Sequence, residues 1–493
     1  MIPVLTKSEA LKLDEMTINS RVNSEEELMN NAGKAVAKFV LENIKDPFNQ
    51  KILVIAGKGN NGGDAVIAHA YLLLFGCDST IVTLDESVLK SWIVNKFYIP
   101  NESILNFENF PNIDNYNLII DGIFGIGLSR EITGKYLRTL ETINRHPAII
   151  AIDIPSGIYC NSGKEAGISV TAMATLTMGF PKVAHFINSG LLNTGVLDVL
   201  EIGFCSLDRC NFYLVQPSDI SSRLSIPQQN VNKFTRGKVL VFGGSIEYPG
   251  AVCLTAQAAI KSGCGYVKVI VPDLIVDHIN HEIPDVVVIP LSTIDSFQTL
   301  MEWADSIVIG PGLQLSDQEI DLLMTDISLL QKSVILDAGG FEIFNRNFSI
   351  KDFPKDSILT PHTGELSKIF PDISSSLKAE LTEFSEMMRK KLTGRNCLLK
   401  GQPNLIYSDN SEVYLMDHGS QNLATAGTGD VLSGILAALK AQNYSAVDTM
   451  IVGSWIHAEA GNQFKDQIGD IGMIASDLLH YIPLAFQSVF DAR

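Results

Sequence analysis

The sequence predicts two consecutive α/β domains, each built on a mainly parallel β-sheet. At 493 residues the chain is too long for one ordinary hydrophobic core. Short unbroken apolar runs alternate with helix-like segments, which is the pattern of strands covered on both faces by helices. This alternation lapses in a polar stretch with proline and serine, around residues 206–235, and then resumes. We therefore expect one domain at residues 1–212, a linker at 213–230 and a second domain at 231–493.

The first half begins with a predicted helical region at residues 7–43, where Ala, Leu, Lys and Glu are in excess. The apolar runs that follow are predicted strands, at residues 51–57, 79–84, 117–121, 148–153 and 175–180. Helix-like segments between them supply the crossover connections of a parallel sheet.

The second half repeats this alternation and ends in helices. Its predicted strands lie at residues 238–244, 266–271, 306–310, 333–339, 357–360 and 395–401, with a hairpin at 405–416. The final hundred residues are predicted to be helical at 431–440, 445–465 and 473–482.

Charge and cysteine usage exclude several classes of protein. The net charge of −18 is spread along the chain, which argues against a nucleic-acid surface because that needs a Lys/Arg stripe. The longest apolar runs fall short of a membrane span, and the charged start lacks the apolar core of an export signal. The seven cysteines form no C-x-x-C pair, which favours free thiols over disulfides or zinc. We expect a cytoplasmic protein without nucleic-acid or membrane partners.

Three polar loops follow predicted strands in the first half. GKGNNGGDA (57–65) lies between a strand and a helix, where backbone amides suit a phosphate, although a glycine turn without ligand has the same pattern. DGIFGIGLSREITG (121–134) and AIDIPSGI (151–158) also place aspartates after strands, where they could instead cap helices. Because ligands bind at the carboxyl ends of parallel strands, we expect the loops to form one site. Their oxygen atoms could also hold a monovalent or divalent cation.

The sequence ATAGTGDVLSG (424–434) predicts a phosphoryl-transfer corner in the second half. Its glycines precede an apolar helix whose first amides can bind a phosphoryl group, although no G-x-x-x-x-G-K-[ST] loop is present. Asp430 is a candidate base and, alternatively, a helix cap. LTPHTGEL (359–366) and KGQPNLIYS (400–408) place His362 and Lys400 at other strand ends.

The three loops of the first half, with MNNAG at 29–33, closely resemble the N-terminal domain of the NAD(P)H-hydrate repair enzymes. The resemblance implies a Rossmann-like three-layer sandwich that interconverts the R and S forms of hydrated NADH and NADPH. It implies Asp153 as the acid–base residue and a potassium ion held by Asn61, Asp121 and Ser156. The substrate contacts that it implies are Asn60, Asn61, Gly62, Gly63, Asp64, Gly125, Ile126, Gly127, Leu128, Ser129, Arg130, Glu131 and Asp153. Ala65 departs from the family, which usually has glycine there.

The second half resembles the C-terminal domain of the same family, a nucleotide-dependent NAD(P)H-hydrate dehydratase with a ribokinase-like α/β fold. The likeness rests on YPGA, GPGL, LTPHTGEL, KG and NLATAGTGDVLSGILAAL, followed by WIHAEAG and IASDLL, and spans about residues 225–490. Ala426 stands where the family has a second glycine before GTGD. Implied substrate contacts are Ala251, Gly312, His362 and Asp430, with Asp430 as catalytic base. Implied nucleotide contacts are Lys400, Gly401, Gln402, Pro403, Asn404 and Gly429.

Together the two resemblances imply a bifunctional repair enzyme whose partners are NAD(P)H hydrates and ADP. ADP is expected over ATP, with a magnesium ion for the nucleotide, and AMP and phosphate are the expected products. The epimerase would supply the S form that the dehydratase uses, and a homo-oligomer is expected. A small-molecule kinase of the ribokinase group is the alternative, but it leaves the first half unexplained. A non-enzymatic binding module is a further alternative, against which Asn61, Asp121 and Asp153 argue.

Overall fold

The computed structural model describes residues 1–226, 230–330, 332–346, 348–373 and 380–493. The chain divides into two units. The first contains Ile2–Phe212 and Glu380–Thr382, and the second contains most of the chain from Tyr213 to Arg493 together with Met1. No helix in the described residues is long and apolar enough to cross a membrane.

The first unit alternates strands and helices. Its strands are β1 (Ile2–Val4), β2 (Lys51–Ala56), β3 (Asp78–Thr83), β4 (Ile104–Asn106), β5 (Leu118–Gly122), β6 (Ile149–Ile152), β7 (Ala174–Met178) and β8 (Val196–Leu200). Its helices are α1 (Lys7–Asn19), α2 (Glu25–Asn43), α3 (Asn60–Leu74), α4 (Ser91–Phe97), α5 (Gly134–Ile143) and α6 (Asn188–Asn193).

A parallel sheet with the strand order β4-β3-β2-β5-β6-β7-β8 forms the core of this unit. The central strands are buried on both faces, as their unbroken apolar runs predict. The five predicted strands are confirmed, whereas β4 and β8 were missed because their half-exposed residues do not form an apolar run. The single helical region predicted at residues 7–43 is in fact two helices, because Arg21 adopts a left-handed conformation and Ser24 starts a new helix with a capping box.

The second unit has the same alternating character. Its strands are β9 (Phe212–Leu214), β10 (Lys238–Phe242), β11 (Tyr266–Val271), β12 (Val287–Pro290), β13 (Ser306–Ile309), β14 (Val334–Leu336), β15 (Ile358–Leu359), β16 (Asn396–Leu399), β17 (Asn404–Tyr407) and β18 (Val413–Met416). Its helices are α7 (Pro217–Arg223), α8 (Pro249–Lys261), α9 (Val276–Glu282), α10 (Gln298–Trp303), α11 (Asp317–Ser328), α12 (Thr363–Ile369), α13 (Leu381–Leu392), α14 (Thr428–Ala441), α15 (Ala446–Gln467) and α16 (Ala475–Asp491).

Within this unit the sheet runs in the order β9-β18-β17-β16-β15-β14-β13-β10-β11-β12. The seven neighbouring strands β16, β15, β14, β13, β10, β11 and β12 are parallel. Strands β17 and β18 form the predicted antiparallel hairpin, and β17 is also antiparallel to β16. Two α/β units with parallel sheets are therefore confirmed. Residues 213–230, predicted as a linker, instead contain α7 and the end of β9, while residues 227–229 lie outside the described residues.

Helices α8 and α14 pack closely, and this contact fixes the start of α14. A Cβ atom on Gly434 would lie 2.2 Å from the backbone oxygen of Thr255, so only glycine permits the observed approach. The Thr255 hydroxyl also donates to the backbone oxygen of Asp430 at 3.0 Å. The predicted catalytic corner is therefore attached to a rigid pair of helices.

Candidate active sites

The first unit contains a cavity of about 880 Å³ at the carboxyl ends of its central strands. All three predicted loops contribute to it. Of the predicted residues, the lining contains Asn60, Asn61, Asp64, Gly125, Ile126, Gly127, Leu128, Ser129, Arg130, Glu131 and Asp153. Gly62 and Gly63 lie outside the lining: a Cβ on Gly62 would lie 1.9 Å from the Gly57 oxygen, and one on Gly63 would lie 2.6 Å from the Met29 sulfur. Their small size serves the packing of α3.

Asp121 and Ser156 form a buried hydrogen-bonded pair below this cavity. The Ser156 hydroxyl donates to Asp121 Oδ1 at 2.6 Å, and the Ser156 amide donates to Oδ2 at 2.9 Å. Burial raises the pKa of Asp121 to about 6 despite these hydrogen bonds. The side-chain oxygen and nitrogen of Asn61 are buried and have no hydrogen-bond partner in the described residues. An unsatisfied buried amide of this kind is costly unless a ligand completes it.

Asp153 lies at the end of β6 in a left-handed conformation, with φ of 65°. Its Oδ1 accepts a hydrogen bond of 2.6 Å from the buried ammonium of Lys182. Burial alone would raise the pKa of Asp153, but the charge and hydrogen bond of Lys182 lower it below its usual value. Nδ1 of His185 accepts a hydrogen bond from the Lys182 amide, and Nε2 donates one of 2.9 Å to the backbone oxygen of Asp153. This pair of hydrogen bonds fixes a neutral tautomer of the ring. The Asp153 carboxyl is therefore held in its ionised form.

Two further carboxylates belong to this cavity, Asp64 from α3 and Asp14 from α1. Burial raises the pKa of both, to about 6 for Asp14, and the nearby charge of Asp153 adds to the effect. Sequence reasoning missed Asp14 because it lies inside a helix, far along the chain from the three loops. It also missed Lys182, although a lysine directly after the predicted strand at 175–180 was a usable signal.

The second unit has its own cavity, of about 800 Å³. Its lining contains Ala251, Gly312 and Asp430, three of the four implied substrate contacts, together with the aromatic side chain of Tyr248, whereas the fourth, His362, lies outside the lining. Two basic residues, Arg346 and Lys368, also belong to the lining. Both cations are paired with carboxylates of the same lining, Arg346 with Asp317 and Lys368 with Glu342, so a phosphate group that enters the cavity competes with these two pairs.

Helix α14 begins directly after Gly427, whose φ of 91° requires glycine, and Asp430 is the third residue of this helix. Among the described residues, the Gly429 and Asp430 amides donate no hydrogen bond to a backbone carbonyl. These free amides, at the positive end of the helix dipole, form a local anion site. Burial and, after it, the charge of Asp337 raise the pKa of Asp430 to about 7, against the opposing effect of Lys400.

Lys400 and Asp337 form an ion pair beside this corner, with Nζ 2.8 Å from Oδ1. The other oxygen of Asp337 accepts from Ser433 at 2.7 Å, and the Lys400 ammonium lies 3.7 Å from Glu365. A Cβ on Gly429 would lie 3.4 Å from Lys400 Nζ, so the predicted nucleotide contacts at these two positions adjoin. The sequence reading missed Asp337 as a member of the site, although SVILDAG places it at a strand end.

The remaining predicted residues stabilise the backbone on either side of Lys400, through a helix cap and a closed turn. His362 caps α12 by accepting from the amides of Gly364 and Glu365, and it forms a parallel bridge with Lys400. The Gly401 amide donates to the Asn404 side chain at 3.0 Å, which closes the turn that contains Gln402 and Pro403. Within the described residues no group of three or more His, Cys, Asp or Glu side chains is arranged to hold a metal ion.

Comparisons with known proteins agree with this division of the chain. A family model described as NAD(P)H-hydrate dehydratase matches residues 239–484, and one described as the YjeF-related protein N-terminus matches residues 25–184. The bifunctional NAD(P)H-hydrate repair enzyme Nnr of Dictyoglomus turgidum is 31% identical over 498 residues, covering 94% of this chain and 95% of the relative. The enzyme of the same name from Coxiella burnetii is 30% identical over 480 residues, covering 96% of each chain.

Among solved structures, a ribokinase-like superfamily protein from Enterococcus faecalis superposes with a TM-score of 0.51. It is 23% identical, and the match covers 58% of this chain and 98% of that protein. The likeness concerns the fold, and it agrees with the parallel sheet observed between β12 and β16.

Proposed function

The chain belongs to the family of bifunctional NAD(P)H-hydrate repair enzymes, and we propose how its residues divide the two reactions. It is an NAD(P)H-hydrate epimerase and an NAD(P)H-hydrate dehydratase in one polypeptide. We assign epimerisation to residues 1–212 and dehydration to residues 231–493. The observation that carries the assignment is a separate cavity in each unit, with the buried Asp153 in the first lining and the partly buried Asp430 in the second.

In the epimerase, Asp153 takes the proton of the hydroxyl group on the hydrated ring, and the bond between that carbon and the ring nitrogen breaks to give an open-chain aldehyde, with the electron pair on nitrogen. The nitrogen then adds to the opposite face of the aldehyde, and Asp153 returns the proton to the oxygen, which leaves the carbon centre inverted. The neighbouring ammonium of Lys182 keeps this carboxylate ionised, which a base requires. The lining residues of the loops at 60–64 and 125–131 hold the nucleotide, and the amides at the start of α3 suit its phosphates.

A potassium ion fits the neighbourhood of Asn61, Asp121 and Ser156. The unpartnered oxygen of Asn61 supplies one ligand, and the buried carboxylate of Asp121 supplies negative charge. Burial raises the pKa of Asp121, and a cation bound beside its carboxylate would lower that pKa. When bound, the ion would hold the substrate hydroxyl near Asp153 by charge alone.

In the dehydratase, the second cavity binds the S hydrate and ADP supplies a phosphoryl group. Asp430 removes the proton of the ring hydroxyl as its oxygen bonds to the phosphorus atom and AMP leaves. The free amides of Gly429 and Asp430, at the start of α14, stabilise the negative charge of the transferred group. Phosphate is a far better leaving group than hydroxide. Its departure, with loss of a proton from the adjacent ring carbon, restores the dihydropyridine.

Lys400 and the turn at 401–404 are proposed to bind ADP next to this corner. A magnesium ion would accompany the nucleotide, and most of its ligands would be phosphate oxygens and water, as is usual for this ion.

A mixture of R and S NADH hydrate, supplied with ADP or ATP, tests the proposal through recovery of NADH absorbance. Full recovery with ADP is expected, and no recovery with either nucleotide would contradict the dehydratase assignment. Asp153→Ala should recover only the S fraction. Asp430→Asn should abolish recovery while the R and S forms, separated by chromatography, still interconvert.

We also propose that the enzyme works in the cytoplasm as a homo-oligomer. All seven cysteines are free and six of them are buried, which suits a reducing compartment. Sedimentation equilibrium measures the oligomeric state directly, and a monomer at micromolar concentration would contradict that part of the proposal.

A further inference from the structure

Lys182 forms a buried ion pair with the proposed base of the epimerase. Its ammonium donates to Asp153 Oδ1 at 2.6 Å, to the Thr177 hydroxyl at 2.9 Å and to the backbone oxygen of Met178 at 2.9 Å. An ammonium has three N–H donors, and all three are used by these contacts. Lys182 lines the cavity but has no proton free for the substrate.

The two oxygens of the Asp153 carboxylate consequently differ in their hydrogen bonds. Oδ1 accepts from Lys182, and Thr177 and the Met178 amide lie at 3.3 Å and 3.5 Å from it. Oδ2 has no hydrogen-bond partner in the described residues and faces the glycine loop, where a Cβ on Gly125 would lie 3.1 Å from it. Oδ2 is therefore the oxygen that is open toward the substrate.

The electrostatic surroundings of Asp153 require a compensating cation. Two other carboxylates of the cavity, Asp14 and Asp64, face it, and His185 beside it is neutral because burial lowers its pKa to about 4. The buried Cys160 thiol also lies within its electrostatic reach. Lys182 is the buried cation paired with this group, and without it a carboxylate in such surroundings takes up a proton.

We propose that Lys182 is a positioning residue of the epimerase: it binds Oδ1 so that Oδ2 of Asp153 meets the substrate hydroxyl as the proton acceptor. This proposal rests on the proposed role of Asp153. The functional base is then the Asp153–Lys182 pair, held by a hydroxyl from the end of β7 and by a backbone carbonyl.

The test starts from purified R hydrate without nucleotide and measures the S form by chromatography, so that the dehydratase plays no part. For Lys182→Ala, kcat is expected to fall by about 100-fold or more while KM changes by less than about threefold, as for a lost proton-transfer geometry. Propylamine should restore at least about a tenth of the lost rate, because an alkylammonium can fill the vacated channel next to Oδ1. A merely structural lysine gives no such rescue.

Two further variants keep the outcome interpretable. Thr177→Val preserves shape but removes one anchor of the ammonium, and kcat is expected to fall about fivefold at constant KM. Lys38→Met, in the exposed ion pair with Glu42, is the matched control and should leave the rate unchanged. An unchanged kcat in Lys182→Ala or in Thr177→Val would overturn the proposal. Epimerisation by Asp153→Asn would instead contradict the proposed function itself.

Discussion

The pH dependence of the dehydratase should reveal Asp430 as its base. Burial and the charge of Asp337 raise the pKa of Asp430 from its usual value of 3.8 to about 7. A base works only when it is deprotonated, so the rate falls as the pH falls through this pKa. Because the folded-state pKa is raised, the loss occurs near neutral pH and not in the acid range where ordinary carboxylates titrate.

The expected magnitude follows from the ionised fraction of a single group with a pKa of about 7. About a tenth of Asp430 is ionised at pH 6 and about nine tenths at pH 8, so kcat/KM should rise roughly tenfold over this interval. Replacing Asp337 by Asn removes the second largest cause of the raised pKa and leaves Lys400 free to favour the charged form of Asp430. The variant's profile should therefore shift to lower pH.

The assay uses purified S hydrate at concentrations below KM with saturating ADP, and follows NADH absorbance between about pH 5 and pH 9. The phosphates of ADP also titrate near pH 6, which would distort a single profile. Comparison of Asp337→Asn with the unmodified protein removes this effect, because the nucleotide is the same in both. A midpoint near pH 4 in the unmodified protein, or identical midpoints in the two proteins, would refute the reasoning.

Two other predictions concern the first unit. Asn61→Ala should weaken any stimulation of epimerisation by potassium relative to sodium, because it removes the unpartnered oxygen; equal stimulation in the variant would argue against the ion's proposed place. Gly62→Ala should destabilise by about 2 kcal/mol or more, since its Cβ would lie 1.9 Å from a backbone oxygen that cannot move away. Gly127→Ala, with open space around its Cβ, should stay within about 0.5 kcal/mol, and calorimetric melting of the two variants compares them directly.

The sequence predicted those parts of the fold and sites that depend on local pattern. Strands β2, β5 and β6 were found because each is an unbroken apolar run, and the loops after them were found because polar residues follow directly. Edge strands β4 and β8 were missed since their exposure on one side breaks the run. Helix α7, in the predicted linker, is only seven residues long and begins at a proline, a composition that equally indicates a loop.

The contents of the sites were harder to predict where they depend on contacts between distant residues. Lys182 follows Asp153 by 29 positions, and Asp337 precedes Ser433 by 96, so neither pairing leaves a spacing that a single sequence displays. Asp14 enters the first cavity from a helix that has no motif of its own. These residues set the charge state of Asp153 and Asp430, so the sequence supplied the two candidate bases but gave no sign of what shifts the pKa of each one.

The two sites place a lysine differently with respect to their bases, and this difference gives the final prediction. In the first unit Lys182 binds the base itself, and Asp153 stays ionised well below neutral pH. In the second unit Lys400 binds Asp337 instead, which leaves Asp430 with a raised pKa. The ionisation of Asp153 should therefore leave the rate of the epimerase unchanged between about pH 6 and pH 8. The ionisation of Asp430 should make the dehydratase about tenfold slower at pH 6 than at pH 8. Both activities can be measured on one preparation, and an equal loss in both at pH 6 would contradict this account of how each lysine acts.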